Sequence, residues 1–267
     1  MSAIRALLPK EHGAYGQLAF PLLTAFAVAG PSAAGVLLAV AAVAGFLAHE
    51  PAAVMLGHRG PRARRELSAA ARPSLLVCVA VGSVAAVGAS MAIPAAVRWS
   101  LVVPALSAVA LGGATVAGRD KSWHGELAAA CAFAGVTIPI ARAAGAPTAV
   151  ALAIAIPFAL LFTTTTLAVR VVILRVRGGG DAHLVATTRR ATFAVATLAT
   201  MLIGVMTVAG YLEPAVPVAS LPGIATAVLV AARPPSPAKL RTLGWSLVAV
   251  SVLTALIVIG TARAAAG

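Results

Sequence analysis

Two adjacent acid–histidine pairs are the densest chemistry in this sequence. Glu11-His12 sits in Pro9-Lys10-Glu11-His12-Gly13-Ala14-Tyr15-Gly16-Gln17, and His49-Glu50 in Phe46-Leu47-Ala48-His49-Glu50-Pro51. A carboxylate beside an imidazole suits proton transfer, and both groups ligate divalent metals. Lys10 and Tyr15 are placed to flank a ligand, and Gln17 lies deeper than helix capping requires. The plainer reading of the first segment is interfacial anchoring, with Glu11 favoured at a helix start by the dipole. His49 and Glu50 fall late in a run that stays apolar to Leu56, so they lie within the membrane boundary and need partners. The first segment, on an antiparallel neighbour, is the expected source. Glu11, His12, His49 and Glu50 are the candidate catalytic residues. A divalent metal held by these four is one arrangement, but the spacing matches no specific metal motif. A buried ion-paired or hydrogen-bonded network fits the residues better.

Arginine-rich segments supply the second kind of chemistry. Gly57-His58-Arg59-Gly60-Pro61-Arg62-Ala63-Arg64-Arg65-Glu66 reads as a basic loop at lipid headgroups. Its sharper reading is an arginine cradle for a phosphate or diphosphate, with Arg59 and Arg62 as contacts, because guanidinium forks bind such oxygens bidentately. Gly118-Arg119-Asp120-Lys121-Ser122-Trp123-His124-Gly125-Glu126 reads as a loop ion pair, an interface tryptophan and a helix start. A last stretch runs from Thr163-Thr164-Thr165-Thr166 through Arg170, Arg175 and Arg177 to Gly178-Gly179-Gly180-Asp181. Arg170 stands among apolar neighbours and requires an anion or a carboxylate there. The threonines can bond across helices or back to carbonyls. Arg175 and Asp181 complete the candidate substrate contacts.

The elements that must position these groups are membrane helices. Hydrophobic residues make up 61% of the 267, and charged residues only 10%, against about 25% in an average soluble domain. So much apolar surface in a chain this short needs lipid as its solvent. Apolar runs long enough to span cover residues 14–30, 32–56, 74–92, 101–117, 127–140, 148–169, 191–210, 216–232 and 242–261. The sequence therefore predicts an all-α polytopic bundle of about nine transmembrane helices, residues 1–267 forming one domain. The run at 127–140 is the shortest. Pro21, Pro104, Pro139, Pro157 and Pro222 lie inside runs, where neighbouring helices can satisfy the freed carbonyls. The first run reads as a membrane helix and not as a cleaved signal, since Glu11 and His12 interrupt its entry and a second run follows at once.

Orientation follows from Lys and Arg in the loops. With the N-terminus in the cytoplasm, the inner segments hold Arg5, Lys10, Arg59, Arg62, Arg64, Arg65, Arg72, Arg119, Lys121, Arg170, Arg175, Arg177, Arg189, Arg190, Arg233, Lys239 and Arg241. Only Arg98, Arg142 and Arg263 fall outside. The same inner side collects all five histidines and every carboxylate except Glu213. The formal charge of +13 is thus a matter of topology, and nucleic acid is not an expected partner. Cys78 and Cys131 both lie in apolar runs and form no disulfide framework.

PKEHGAYGQLAFPLL at 9–23, FLAHEP at 46–51 and GHRG at 57–60 resemble the YwiC-like family of bacterial membrane proteins. That resemblance implies a multi-pass protein of the bacterial inner (cytoplasmic) membrane and carries no established activity. A looser resemblance, of layout alone, is to the UbiA-type prenyltransferases. Those enzymes hold magnesium and a prenyl diphosphate between polar loops after helices two and six. Here the first of those loops offers Glu50 and Glu66 without paired aspartates, and the second offers Asp181 alone. The expected function is accordingly a UbiA-like membrane enzyme, or its relic, binding an anionic, lipid-soluble substrate such as a prenyl diphosphate at the cytoplasmic face. The alternative is a transporter or a non-catalytic lipid-binding subunit. Coupled transport calls for ionisable groups near mid-bilayer, and no run carries one at its middle.

Overall fold

The computed structural model describes residues 6–9, 12–177 and 181–266. Among these residues there are ten α-helices and no strand: α1 (His12–Ala29), α2 (Ala33–Met55), α3 (Gly60–Ala92), α4 (Val102–Val116), α5 (Trp123–Gly135), α6 (Thr137–Ala143), α7 (Thr148–Arg177), α8 (Ala182–Val208), α9 (Ala215–Ala232) and α10 (Leu240–Ala266). A 3-10 segment, Ala95–Leu101, leads into α4, and α5 and α6 form one broken span. Eight segments are long and apolar enough to cross a membrane, and Gly13–Ala29 is a shorter apolar helix. The nine apolar runs therefore each correspond to one segment, and the protein is a membrane-embedded helical bundle.

Helix limits differ from the apolar runs where polar residues continue a helix beyond the apolar zone. α3 starts at Gly60, so the arginine-rich stretch expected as a loop is instead two helical turns, with Pro61 in its first turn, where a missing amide is harmless. α7 continues through Arg170 and Arg175 to Arg177. Hydropathy ends at the interface, whereas backbone hydrogen bonding can continue into water with good helix formers such as arginine. The short fifth run has a different cause. Pro139 stands three residues into α6 and cannot donate to a carbonyl one turn back. The helix breaks at Val136, where Thr137 Oγ1 donates to the Ala134 carbonyl at 2.6 Å.

Buried residues collect on α7, including Ile154, Phe158, Leu161, Phe162, Val171 and Val172. α7 is the axis of the bundle and meets α1, α5, α6, α8, α9 and α10. In the α5–α6 and α7 spans 56% of the apolar window is buried, against 11% in α3 and in the 3-10–α4 span. The latter two are thus peripheral. α3 packs along α2, and α4 along α5, but these two consecutive spans barely touch each other. The space between them forms the candidate site.

Candidate functional site

A cavity of about 1260 Å³ opens between these helices. Its walls come from α2, α3, α4 and α5, closed by α1, α7 and Leu247 of α10. From Leu38 to Glu50 the α2 wall runs ~18 Å at 1.5 Å per residue. Most of that length is apolar, lined by Leu38, Phe46, Val79, Leu101, Leu111 and Phe133 among others. The polar groups gather at one end, which is the end carrying most of the basic residues.

Three short segments build that polar end. The last turns of α2 bring His49 and Glu50, the turn before α3 brings Arg59, and the α4–α5 loop brings Asp120 and Lys121. Arg59 grips Glu50 with two hydrogen bonds, Nε to Oε1 at 2.8 Å and a terminal nitrogen to Oε2 at 2.6 Å. Only 9% of the Glu50 side chain is exposed, so this bidentate pair supplies the compensation a buried carboxylate requires. Nε2 of His49 lies 3.2 Å from Oδ2 of Asp120, and Arg59 stands 4.0 Å from the same oxygen. Neither approach has hydrogen-bond alignment, and this buried oxygen accepts no hydrogen bond. Arg170 reaches in from α7 to Glu126 at 3.2 Å. The carboxylate that Arg170 requires is therefore present, at the start of α5.

Glycine makes the α4–α5 loop possible. Gly118 adopts φ +66°, with His58 against it. At Gly125, a methyl group would come within 2.6 Å of the Asp120 carbonyl and 2.7 Å of the Arg119 carbonyl. The loop backbone can lie on the first turn of α5 only because no side chain intervenes. Ser122 caps that turn, accepting from the Gly125 amide at 3.3 Å. Gly125→Ala is expected to displace Asp120 and lower stability by about 1–3 kcal/mol. Thermal unfolding of the purified variant measures the loss; an unchanged transition contradicts this role for Gly125.

The candidate residues divide into three groups. His49, Glu50, Arg59, Arg170 and Gln17 line the cavity. Tyr15, Arg62, Arg175 and Asp181 stand elsewhere. Tyr15 meets the ring edge of Phe46, which in turn meets Phe133. Arg62 pairs with Glu66 on the exposed side of α3, Arg175 is exposed on α7, and Asp181 caps α8 through the Leu184 amide. Lys10 and Glu11 lie outside the described residues, as does the side chain of His12. Among the described residues, no three of His, Cys, Asp and Glu are grouped to hold a metal. Asp120, Lys121 and Glu126 are site groups that the sequence alone presents as an ordinary loop. The unmatched Arg170 was the signal for Glu126; no sequence signal marked Asp120 as buried.

Comparison with known proteins adds one family. Residues 8–141 match the family described as YwiC-like protein, a stretch that holds α1 through most of α6 and both acid–histidine pairs. No curated protein and no solved structure matches.

Proposed function

The chain belongs to the YwiC-like protein family, and from that premise we propose that it binds an anionic, lipid-soluble substrate in the cavity between α3 and α4. The single observation that carries this reading is the cavity's division into a long apolar part and one polar end. An amphiphile has that same division. Its tail would lie against Leu38, Phe46 and Leu111, and its head beside Arg59, Lys121 and Arg170. The positive-inside bias puts this end in the cytoplasm, so the head is reached from the cytoplasmic face of the cell membrane. The seam between α3 and α4 gives the tail a sideways path from the bilayer. His49, facing Asp120, is the group placed to exchange a proton with the head, which favours a membrane enzyme over a transporter.

The glycines on the cavity wall support the reading. Gly45 on α2 and Gly112 on α4 lie within helices and line the cavity, and a methyl group added at either would meet no atom within 4 Å. Helix packing therefore does not require them, and each forgoes about 1 kcal/mol relative to alanine. Their effect is to keep the wall clear. Gly45→Phe should put a ring into the cavity, its Cβ meeting no atom within 4 Å. Binding of radiolabelled myristate, a single-chain anionic amphiphile, to protein in nanodiscs is expected to fall at least about tenfold, with thermal stability kept. Equal binding by the native protein and Gly45→Phe would sink the proposal.

A further inference from the structure

We infer that the protein holds a phosphate group at a second, separate site, an open pocket of about 430 Å³ formed by Gly57, Pro61, Arg64, Arg65 and Ser68. None of these residues lines the large cavity. The structure sorts the four arginines of residues 57–66 into two kinds. Arg59 is committed to Glu50, and Arg62 to Glu66. Arg64 and Arg65 are exposed, and among the described residues neither meets a carboxylate at ion-pair distance. Ser68 follows them on α3 at the three- and four-residue spacing that puts side chains on one helix face. Ser246 and Ser251 donate to the carbonyl four residues back; the Ser68 hydroxyl makes no such bond among the described residues. Two guanidinium groups and a hydroxyl thus converge on one pocket with their donors uncommitted.

The Gly57-His58-Arg59-Gly60 turn builds the pocket. Gly57 and Gly60 take φ +85° and +88°, a conformation that glycine adopts without strain, and the chain reverses within four residues so that α3 runs back along α2. A terminal nitrogen of Arg64 lies 3.7 Å from the place a Cβ on Gly57 would occupy. That guanidinium therefore lies over the turn, with Arg65 and Ser68 beside it on the pocket wall. Guanidinium forks bind phosphate oxygens bidentately, and a serine hydroxyl adds one more donor. The depth suits the same ligand. Gly57 directly follows Leu56, the exposed last residue of the second apolar run, and Leu67, Ala70 and Ala71 of α3 pack with Val54 of α2. The pocket lies where the membrane-facing part of α2 ends, at the level of lipid headgroups. A phosphate reaches it from a phospholipid of the cytoplasmic leaflet or from a soluble phosphate ester; both present the same group to the arginines. Because the pocket is open, its ligand exchanges freely and has to be supplied in the assay.

Two probes carry one phosphate monoester each: dioctanoylphosphatidic acid, from the lipid side, and glycerol 3-phosphate, from the water side. Their dissociation constants are measured on delipidated full-length protein in neutral detergent at fixed ionic strength. The double variant Arg64→Gln, Arg65→Gln is expected to weaken phosphatidic acid binding at least about tenfold. Arg62→Gln removes a charge outside the pocket, and Gly45→Phe puts a ring into the large cavity; each should change that binding by no more than about twofold. Tighter binding of phosphatidic acid than of glycerol 3-phosphate by the native protein assigns the site to a lipid headgroup. Equal binding of the two, lost in the double variant, assigns it to a soluble ester; either result supports the site. If Arg62→Gln weakens binding as much as the double variant does, the effect is diffuse surface charge and the inference is overturned. Binding lost in Gly45→Phe and kept in the double variant puts the phosphate in the large cavity, and overturns it equally. So does native protein that binds neither probe.

Discussion

Glu50→Ala is expected to destabilise the protein by about 3 kcal/mol and to remove ligand binding. The substitution leaves the Arg59 guanidinium, three-quarters buried, without the carboxylate that holds two of its donors. Breaking one side of a buried pair has a larger effect than removing both, because the remaining charge loses its closest counter-ion, and Asp120, 4.0 Å from Arg59, replaces it only in part. The estimate sits at the low end of that range because Arg59 retains some contact with solvent. The double variant Glu50→Ala, Arg59→Ala should therefore recover part of the lost stability. Thermal unfolding of the native protein and the two variants forms the test. If the double variant is less stable than Glu50→Ala alone, the buried-charge account is wrong.

The second large effect is expected outside the cavity lining, where α7 and α9 cross. A methyl group on Gly223 would come within 2.8 Å of Leu161 Cδ1 and 2.9 Å of Leu161 Cα. Cα cannot rotate away, and Leu161 itself is almost fully buried. Close approach of helix backbones through a small residue is a principal source of helix association in lipid. Gly223→Ala should lower stability by about 1–3 kcal/mol, and Gly223→Leu should prevent recovery of a monodisperse protein. Size-exclusion profiles and melting transitions of the two variants check this. A Gly223→Leu protein that elutes and melts like the native one contradicts the close crossing.

These positions show where sequence reading works and where it stops. The nine apolar runs were legible because lipid imposes a minimum length and composition on each span. Their ends were not, since Arg62, Arg64 and Arg65 are good helix formers lying outside the apolar zone. That His49 and Glu50 needed partners was legible from their depth. Which groups would meet them was not: Arg59 folds back nine residues to Glu50, and Asp120 arrives from a loop about seventy residues away. Hydropathy says nothing about which helices are neighbours. Arg170 shows the intermediate case. Its placement among apolar residues implied an anion, and Glu126 supplies the carboxylate. The second polar loop at the site is accordingly the one between the fourth and fifth spans. Asp181, after the sixth, spends its side chain on capping α8. Gly125 and Gly223 were silent in the sequence, because the atoms that forbid a side chain there belong to residues distant along the chain or to a loop path no periodicity encodes.

The most direct test of the central claim is to weigh what the protein carries. Native mass spectrometry of the purified chain, released gently from detergent, reads bound amphiphiles by mass and stoichiometry. The native protein is expected to retain one amphiphile with a single tail, and Gly45→Phe, equally stable, to retain none. An identical complement of lipids on the two proteins would contradict the account.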